Sequence, residues 1–232
     1  MEDKITAMIP ARLGSKRISR KNIRYMDQKP LIQYPIDLAL DSGLFAEVWV
    51  NTESEELGRL VQTMGACFHR RPAEFAGDHA TNREFMYEFV KKHDCDYVVM
   101  MNTTSPLLRE STVKKFIEFI RANDYDTVVS VTAQKEETFF RDKPLNFSLE
   151  EKVNSQLLEP TEAIVWALTA WKTKTFIRLQ EEGKNPVFGG SLAKFVIPKD
   201  EACDLDTEED WRIAEGILES RKTNREKRYV QL

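Results

Sequence analysis

Ile5-Thr6-Ala7-Met8-Ile9 leads straight into Pro10-Ala11-Arg12-Leu13-Gly14-Ser15-Lys16-Arg17-Ile18-Ser19-Arg20-Lys21-Asn22. The apolar run is too short for a helix and suits a buried strand, the element with which α/β folds commonly begin. The loop after it carries five cations: Arg12, Lys16, Arg17, Arg20 and Lys21. In doubly wound folds, a loop leaving the carboxyl end of such a strand is where nucleotides bind. Cations this close repel one another unless an anion such as a triphosphate lies among them. A solvated basic loop is the alternative; the preceding strand and the embedded Gly14 and Ser15 favour phosphate.

Downstream, strand-like and helix-like segments alternate. Leu31 to Ser42 has amphipathic helical spacing and stops at Gly43. Glu47 to Val50 reads as a strand. Ser54 to Met64 reads as a helix with Ser54 as N-cap and Glu55 and Glu56 in its first turn. Ala66 to His69 is a strand, Asn82 to His93 a helix, Asp96 to Met101 a strand, Ser111 to Ala122 a helix and Thr127 to Thr132 a strand. This rhythm implies a mostly parallel sheet covered on both faces. Gln134 to Leu158 is polar and reads as hairpins and loops, with strand-like Asn146 to Leu149. Glu162 to Ala170 and Lys194 to Ile197 read as strands, Lys172 to Glu182 and Thr207 to Ser220 as helices, the last with Thr207 as N-cap.

The 232 residues suffice for one domain over 1–220, followed by a basic tail over 221–232. The chain is 41% hydrophobic and 31% charged, enough to bury a core. A net charge of −4 disfavours a nucleic-acid binder, so the basic loop suits a small anion. Cys67, Cys95 and Cys203 are odd in number and lack CxxC spacing. They read as reduced, mostly buried thiols of a cytoplasmic protein rather than as a disulfide framework or zinc site. No segment has the length and apolarity of a membrane span, nor the first residues those of a signal peptide. His69, His79 and His93 are scattered, which disfavours a histidine-based metal site or triad.

Asp204 and Asp206 flank Leu205. In extended chain, residues two apart point the same way, so two carboxylates converge while Leu205 packs inward. Such a pair suits Mg²⁺; two acids preceding the helix at Thr207 are the plainer reading. Thr104-Ser105-Pro106 follows the apolar strand at Met101 and reads either as ligand-binding hydroxyls or as a turn. Arg71 precedes Pro72 and, read by itself, is a surface arginine.

Together these stretches resemble the cytidylyltransferases that make CMP-sialic acid and related CMP-activated acid sugars. Their first loop is close to I-P-A-R-x-x-S-K-G-[IL]-P-R-K-N, matched by Ile9-Pro10-Ala11-Arg12, Ser15-Lys16 and Arg20-Lys21-Asn22. Arg17 stands where glycine is usual and Ser19 where proline is. Arg17 is similar to the arginine in the S-T-R-L-P-G-K loop of the related enzymes that activate Kdo. Asp204-Leu205-Asp206-Thr207-Glu208-Glu209-Asp210 resembles the closing motif D-[IL]-D-T-x-E-D, and Arg71-Pro72 the motif R-P-x-x-L-A. Asn102-Thr103-Thr104-Ser105-Pro106-Leu107 stands where Q-P-T-S-P-L-R is expected, with Asn102 for the glutamine and the arginine displaced to Arg109.

The resemblance implies a Rossmann-like three-layer α/β/α nucleotidyltransferase fold with a small dimerisation insertion, over 134–170. It implies Ala11, Arg12, Gly14, Ser15, Lys16, Lys21, Asn22, Arg71 and Thr104 on the nucleotide, with Arg17 beside them. Asp204 and Asp206 would hold Mg²⁺, and Lys21 and Asp206 would be catalytic. Asn102, Ser105, Glu162 and Trp166 would face the acceptor. Glu162-Ala163-Ile164-Val165-Trp166 replaces the usual N-G-A-[IV]-Y, so the likeness is close in the nucleotide half and weak in the acceptor half. The expectation is transfer of CMP from CTP to a nonulosonic or 3-deoxy-2-keto acid sugar by a homodimer, with pyrophosphate released. Transfer to another acid such as a phosphonate, and CTP binding without transfer, are the alternatives.

Overall fold

A computed structural model describes residues 3–15, 17–77 and 80–223. Strand β1 (Ile5–Pro10) is followed by a basic loop, a single 3₁₀ turn at Lys21–Ile23 and a small hairpin of β2 (Tyr25–Met26) and β3 (Lys29–Pro30). Then come α1 (Gln33–Ser42), β4 (Glu47–Thr52), α2 (Glu55–Thr63), β5 (Cys67–Arg70), α3 (Asn82–Val90), β6 (Tyr97–Met101), α4 (Glu110–Ala122) and β7 (Thr127–Gln134). A second hairpin, β8 (Phe139–Phe140) with β9 (Lys143–Pro144), precedes β10 (Thr161–Lys172), α5 (Thr173–Glu181), β11 (Leu192–Val196) and α6 (Glu208–Lys222).

Seven strands form one sheet in the order β11-β7-β10-β6-β1-β4-β5. The β1/β4, β1/β6, β4/β5 and β7/β11 pairs are parallel; β10 alone runs against both its neighbours. Side chains alternate across the sheet. Ile5, Ala7 and Ile9 face α1, α2 and α4 with Val99 and Met101, whereas Met8, Val98 and Met100 face α3 and α5 with Phe85, Phe89 and Phe176. The expected three layers are present.

Local signals set the element ends. Ser54 accepts a hydrogen bond from Leu57 N, and α6 starts with a reciprocal cap between Thr207 and Asp210. Gly43 closes α1 at φ 63°, a conformation that favours glycine.

Several expectations are corrected. Asn146 to Leu149 is not a strand. The Asn146 amide instead accepts from Thr138 N and donates to the Glu136 and Glu159 carbonyls, tying off the loop that a ladder would have used. The hairpin lies earlier, turned by Arg141 and Asp142, both at positive φ. Helix α3 ends at Val90, short of His93. Cys67 is exposed and Cys203 half-buried, so Cys95 alone is fully buried. Arg221 and Lys222 belong to α6, where Arg221 donates to the Leu107 and Asp200 carbonyls; the basic tail beyond Thr223 lies outside the described residues.

Candidate active site

The strand order reverses at β1, which has β4 on one side and β6 on the other. A crevice opens outside the carboxyl ends of parallel strands at such a reversal. A cavity of about 430 Å³ occupies it, lined from the first loop by Ala11, Arg12, Ser15, Arg17, Lys21 and Asn22. Arg71, reached through β5, lines it too, as do Asn102, Thr103 and Thr104 beyond β6.

The first loop is fixed from behind. Ala11 N donates to Asn51 O (3.0 Å), and Leu13 N donates to the Glu53 carboxylate (3.0 Å). Asn22 is buried; its amide donates to Arg12 O (2.8 Å), and its Oδ1 has no partner among the described residues. Arg20 adopts a left-handed conformation (φ 51°), and its carbonyl accepts from Ile23 N and Arg24 N. This turn sends Lys21 back across the cavity, where Nζ donates to Leu205 O (2.6 Å). Burial holds the Lys21 ammonium below the ordinary lysine range, against the opposing pull of Asp206 and Asp204.

The segment around Leu205 behaves as its alternation predicts. Leu205 is fully buried with Ile18, Met26, Leu31, Leu107 and Trp211. Asp204 is exposed and Asp206 half-exposed. Leu205 N donates to Thr104 O (3.1 Å), joining this segment to the loop after β6. The Asp206 carboxylate accepts from Arg17 Nη1 at 2.7 Å, so a cation already sits against it. Among the described residues no three His, Cys, Asp or Glu side chains are grouped to hold a metal. Two carboxylates without a cage are what a Mg²⁺ site completed by substrate phosphates and water uses, so the donor set fits that ion.

Arg71 is not a surface arginine: it is 5% exposed. Nε donates to Asn51 Oδ1 (2.7 Å), Nη2 donates to Asn51 O (2.8 Å), and the guanidinium lies 4.3 Å from the Phe85 ring centre. Burial pulls its pKa down to about 10.

The sequence profile of the cytidylyltransferase family matches residues 6–167. The chain belongs to that family. It is 29% identical over 217 residues to N-acylneuraminate cytidylyltransferase A of Danio rerio, covering 91% of this chain and 50% of the relative. It is 37% identical over 134 residues to N-acylneuraminate cytidylyltransferase of Escherichia coli O18:K1:H7 (strain RS218 / NMEC), covering 57% of this chain and 32% of the relative. The cytidylyltransferase chain thus spans half or less of the length of these curated relatives. A solved structure of CMP:2-keto-3-deoxy-manno-octonic acid synthetase complexed with CTP superposes with a TM-score of 0.72 at 19% identity, covering 94% of this chain and 99% of that one. At that identity the superposition shows the fold alone.

Not every expected site residue reaches the cavity of this cytidylyltransferase. Gly14 is exposed with open space around it, and Ser15 lines the cavity. Lys16 lies outside the described residues. Ser105 is buried and does not line the cavity. Arg109 turns away to pair with Asp200 and Glu201. Asn102 lines the cavity and donates to Trp166 O (2.6 Å). The Trp166 ring packs against Phe188, and Glu162 pairs with Lys194; neither lines the cavity. Lys194 thus offsets the negative charge of Glu162.

Sequence reasoning missed Asn51, Glu53, Asn82 and Phe85, of which the last two line the cavity. Asn51 and Glu53 stand at the carboxyl end of β4, next to β1, and that strand position was the available signal. His69 and His93 are not scattered either. His69 Nδ1 lies 2.9 Å from His93 Nε2, and His69 Nε2 lies 2.7 Å from the Glu88 carboxylate. His79 lies outside the described residues.

Proposed function

We propose that this chain transfers CMP from CTP to a hydroxyl of an acidic acceptor, a nonulosonic or 3-deoxy-2-keto acid sugar, and releases pyrophosphate. The reading is carried by one observation: Arg17 and Lys21 of the first loop line a crevice at the sheet's reversal point and also reach the Asp204–Asp206 segment, Arg17 at the Asp206 carboxylate and Lys21 at the Leu205 carbonyl. Arg12, Lys21 and Arg17, with Lys16 of the same loop, hold the triphosphate, while Asn22, Arg71 and Thr104 hold the nucleoside end. The acceptor oxygen attacks the α-phosphorus in line; its bond to phosphorus forms as the bond to pyrophosphate breaks, and the hydroxyl proton is released. Phosphoryl chemistry of this kind depends on alignment and charge compensation rather than on a protein nucleophile. Asp204 and Asp206 would hold Mg²⁺, which when bound supplies charge neutralisation at the phosphates. Lys21 keeps a desolvated positive charge aimed at the same place.

The relatives named for N-acylneuraminate and the neighbour named for 2-keto-3-deoxy-manno-octonic acid support an acid sugar as acceptor. Asn102, one methylene shorter than the expected glutamine and tied to the Trp166 carbonyl, argues for an acceptor other than N-acetylneuraminate. We propose that the protein is cytoplasmic and a homodimer whose arm is the part of the 134–170 region that precedes β10, where Phe139, Phe140, Leu145, Leu149 and Leu157 are all exposed; from Thr161 on the chain belongs to the main sheet.

The test is pyrophosphate release from CTP and Mg²⁺ with a panel of N-acetylneuraminate, Kdo, other nonulosonic acids and small phosphonates. Release is expected with Kdo or a nonulosonic acid, and weakest among these with N-acetylneuraminate. Release with the phosphonate alone would move the acceptor class, and CTP binding without release for any acid would mean a sensor.

A further inference from the structure

We propose that Asn51 is the positioning residue for Arg71, holding the guanidinium in the nucleotide crevice; this rests on the reading of Arg71 as a nucleotide contact. Asn51 is fully buried at the carboxyl end of β4. Two of its oxygens serve the site. Its backbone oxygen accepts from Ala11 N of the first loop and from Arg71 Nη2, and its side-chain Oδ1 accepts from Arg71 Nε. A guanidinium only donates, so the amide face turned to it must be oxygen. Thr52 O accepts from Arg71 N, fixing the same residue's backbone.

The rest of Asn51 is not used. Its Nδ2 is buried without a hydrogen-bond partner. An unsatisfied buried donor is destabilising, so the amide is a poor residue for packing alone. What it contributes is the acceptor. Arg71 has little else to hold its plane: the Phe85 ring on one face and Asn51 along one edge. Nη1 has no partner among the described residues, and Arg71 lines the cavity. A long flexible cation is thereby reduced to one orientation before any ligand arrives, which lowers the ordering cost of binding.

The experiment is a double-mutant cycle read by calorimetric titration with CTP on Asn51→Leu, Arg71→Met and the double variant, each confirmed folded by circular dichroism. Asn51→Leu is expected to weaken CTP about tenfold, and the double variant to bind within twofold of Arg71→Met alone. Losses that multiply would overturn the proposal, because Asn51 would then act independently of Arg71. Should Asn51→Leu not fold, Asn51→Ala removes the same acceptor at smaller volume and carries the same expectation. A second readout needs no nucleotide. The Arg71 Nε–H proton should be protected from exchange in the wild type and lose that protection in Asn51→Leu; unchanged protection contradicts the proposal. Failure of the wild type to bind CTP would strike the functional reading, while the Nε–H result would still decide the role of Asn51.

Discussion

At the scale of the residue, charge is placed by what sits behind it. Lys21 crosses the crevice because Arg20 takes a left-handed turn and Leu205 O receives the ammonium at 2.6 Å. A hydrogen bond to a charged group is worth about 1.5–3 kcal/mol. Lys21→Ala is therefore expected to weaken CTP roughly tenfold to hundredfold in a calorimetric titration, and unchanged affinity with an unchanged rate would reduce Lys21 to a solvated lysine. Asp206 holds Arg17, which lines the crevice, at 2.7 Å in an ion pair open to solvent. Asp206→Asn keeps the shape and removes the charge. It should leave the unfolding midpoint within a few degrees of wild type, since an exposed ion pair contributes only about 0–1 kcal/mol, and should nearly abolish Mg²⁺-dependent pyrophosphate release. A fully active Asp206→Asn, or wild-type turnover in EDTA, would contradict the metal assignment. The alternation around Leu205 was legible because residues two apart share a face. The Asn51–Arg71 contact was not, because nothing in either residue's neighbours announces a partner twenty positions away.

At the scale of the element, burial and exposure divide the chain. Leu205 anchors the short extended segment that carries both aspartates, and it is fully buried against Trp211 of α6 and Ile18 of the first loop. Leu205→Ala should lower stability by about 2–5 kcal/mol in urea unfolding, the usual cost of a buried leucine. A loss below 1 kcal/mol would mean the segment is not pinned there. The stretch between β7 and β10 shows the opposite pattern, with Phe139 56% and Phe140 64% exposed on the β8–β9 hairpin. A protein that covers these rings with a second copy should become monomeric when Phe140→Asp is introduced, as read by light scattering after size exclusion; a wild-type monomer would remove the arm's role. Elements with strong period were legible, including β1, β6, α2 and the capped start of α6. The orientation of β10 was not, because an apolar run has no direction, and the β8–β9 hairpin lacks the Asn-Gly turn that signals one, using Arg141-Asp142 instead.

At the scale of the whole molecule, the sheet brings distant residues to one edge and one crevice. His69 on β5 and His93 beyond α3 meet beside Glu88, with Phe89 and Trp49 against the His93 ring. Burial, then the neighbouring His69, push His93 down to about 4; burial also lowers His69, although Glu88 pulls the other way and Lys92 and Arg71 reinforce the shift. The His93 ring is therefore neutral in the fold when an unfolded histidine, with a pKa of about 6.5, takes a proton. The contribution of His93 is fully present above about pH 6.5 and is lost as pH falls toward about 4, and the downward shift of His69 acts in the same direction. The melting temperature should drop between pH 7 and pH 5, and His93→Phe should flatten that drop; an equally steep profile in the variant would remove the histidine pair as its cause. The crevice was legible from the sequence along the first loop, where a long motif fixes residue types and spacing and Ala11, Arg12, Ser15, Lys21 and Asn22 line the cavity. The places of Glu162 and Trp166 were not, because both are turned to partners, Lys194 and Phe188, that only the folded chain supplies. The most direct test of the central claim follows both products of one reaction: purified protein, CTP, Mg²⁺ and the best acid of the panel, with pyrophosphate and the CMP-acid quantified together by mass spectrometry. The account predicts equal amounts of each, both dependent on the acid and both lost in Asp206→Asn. Pyrophosphate without a CMP-acid, or neither product while CTP binds, would contradict it.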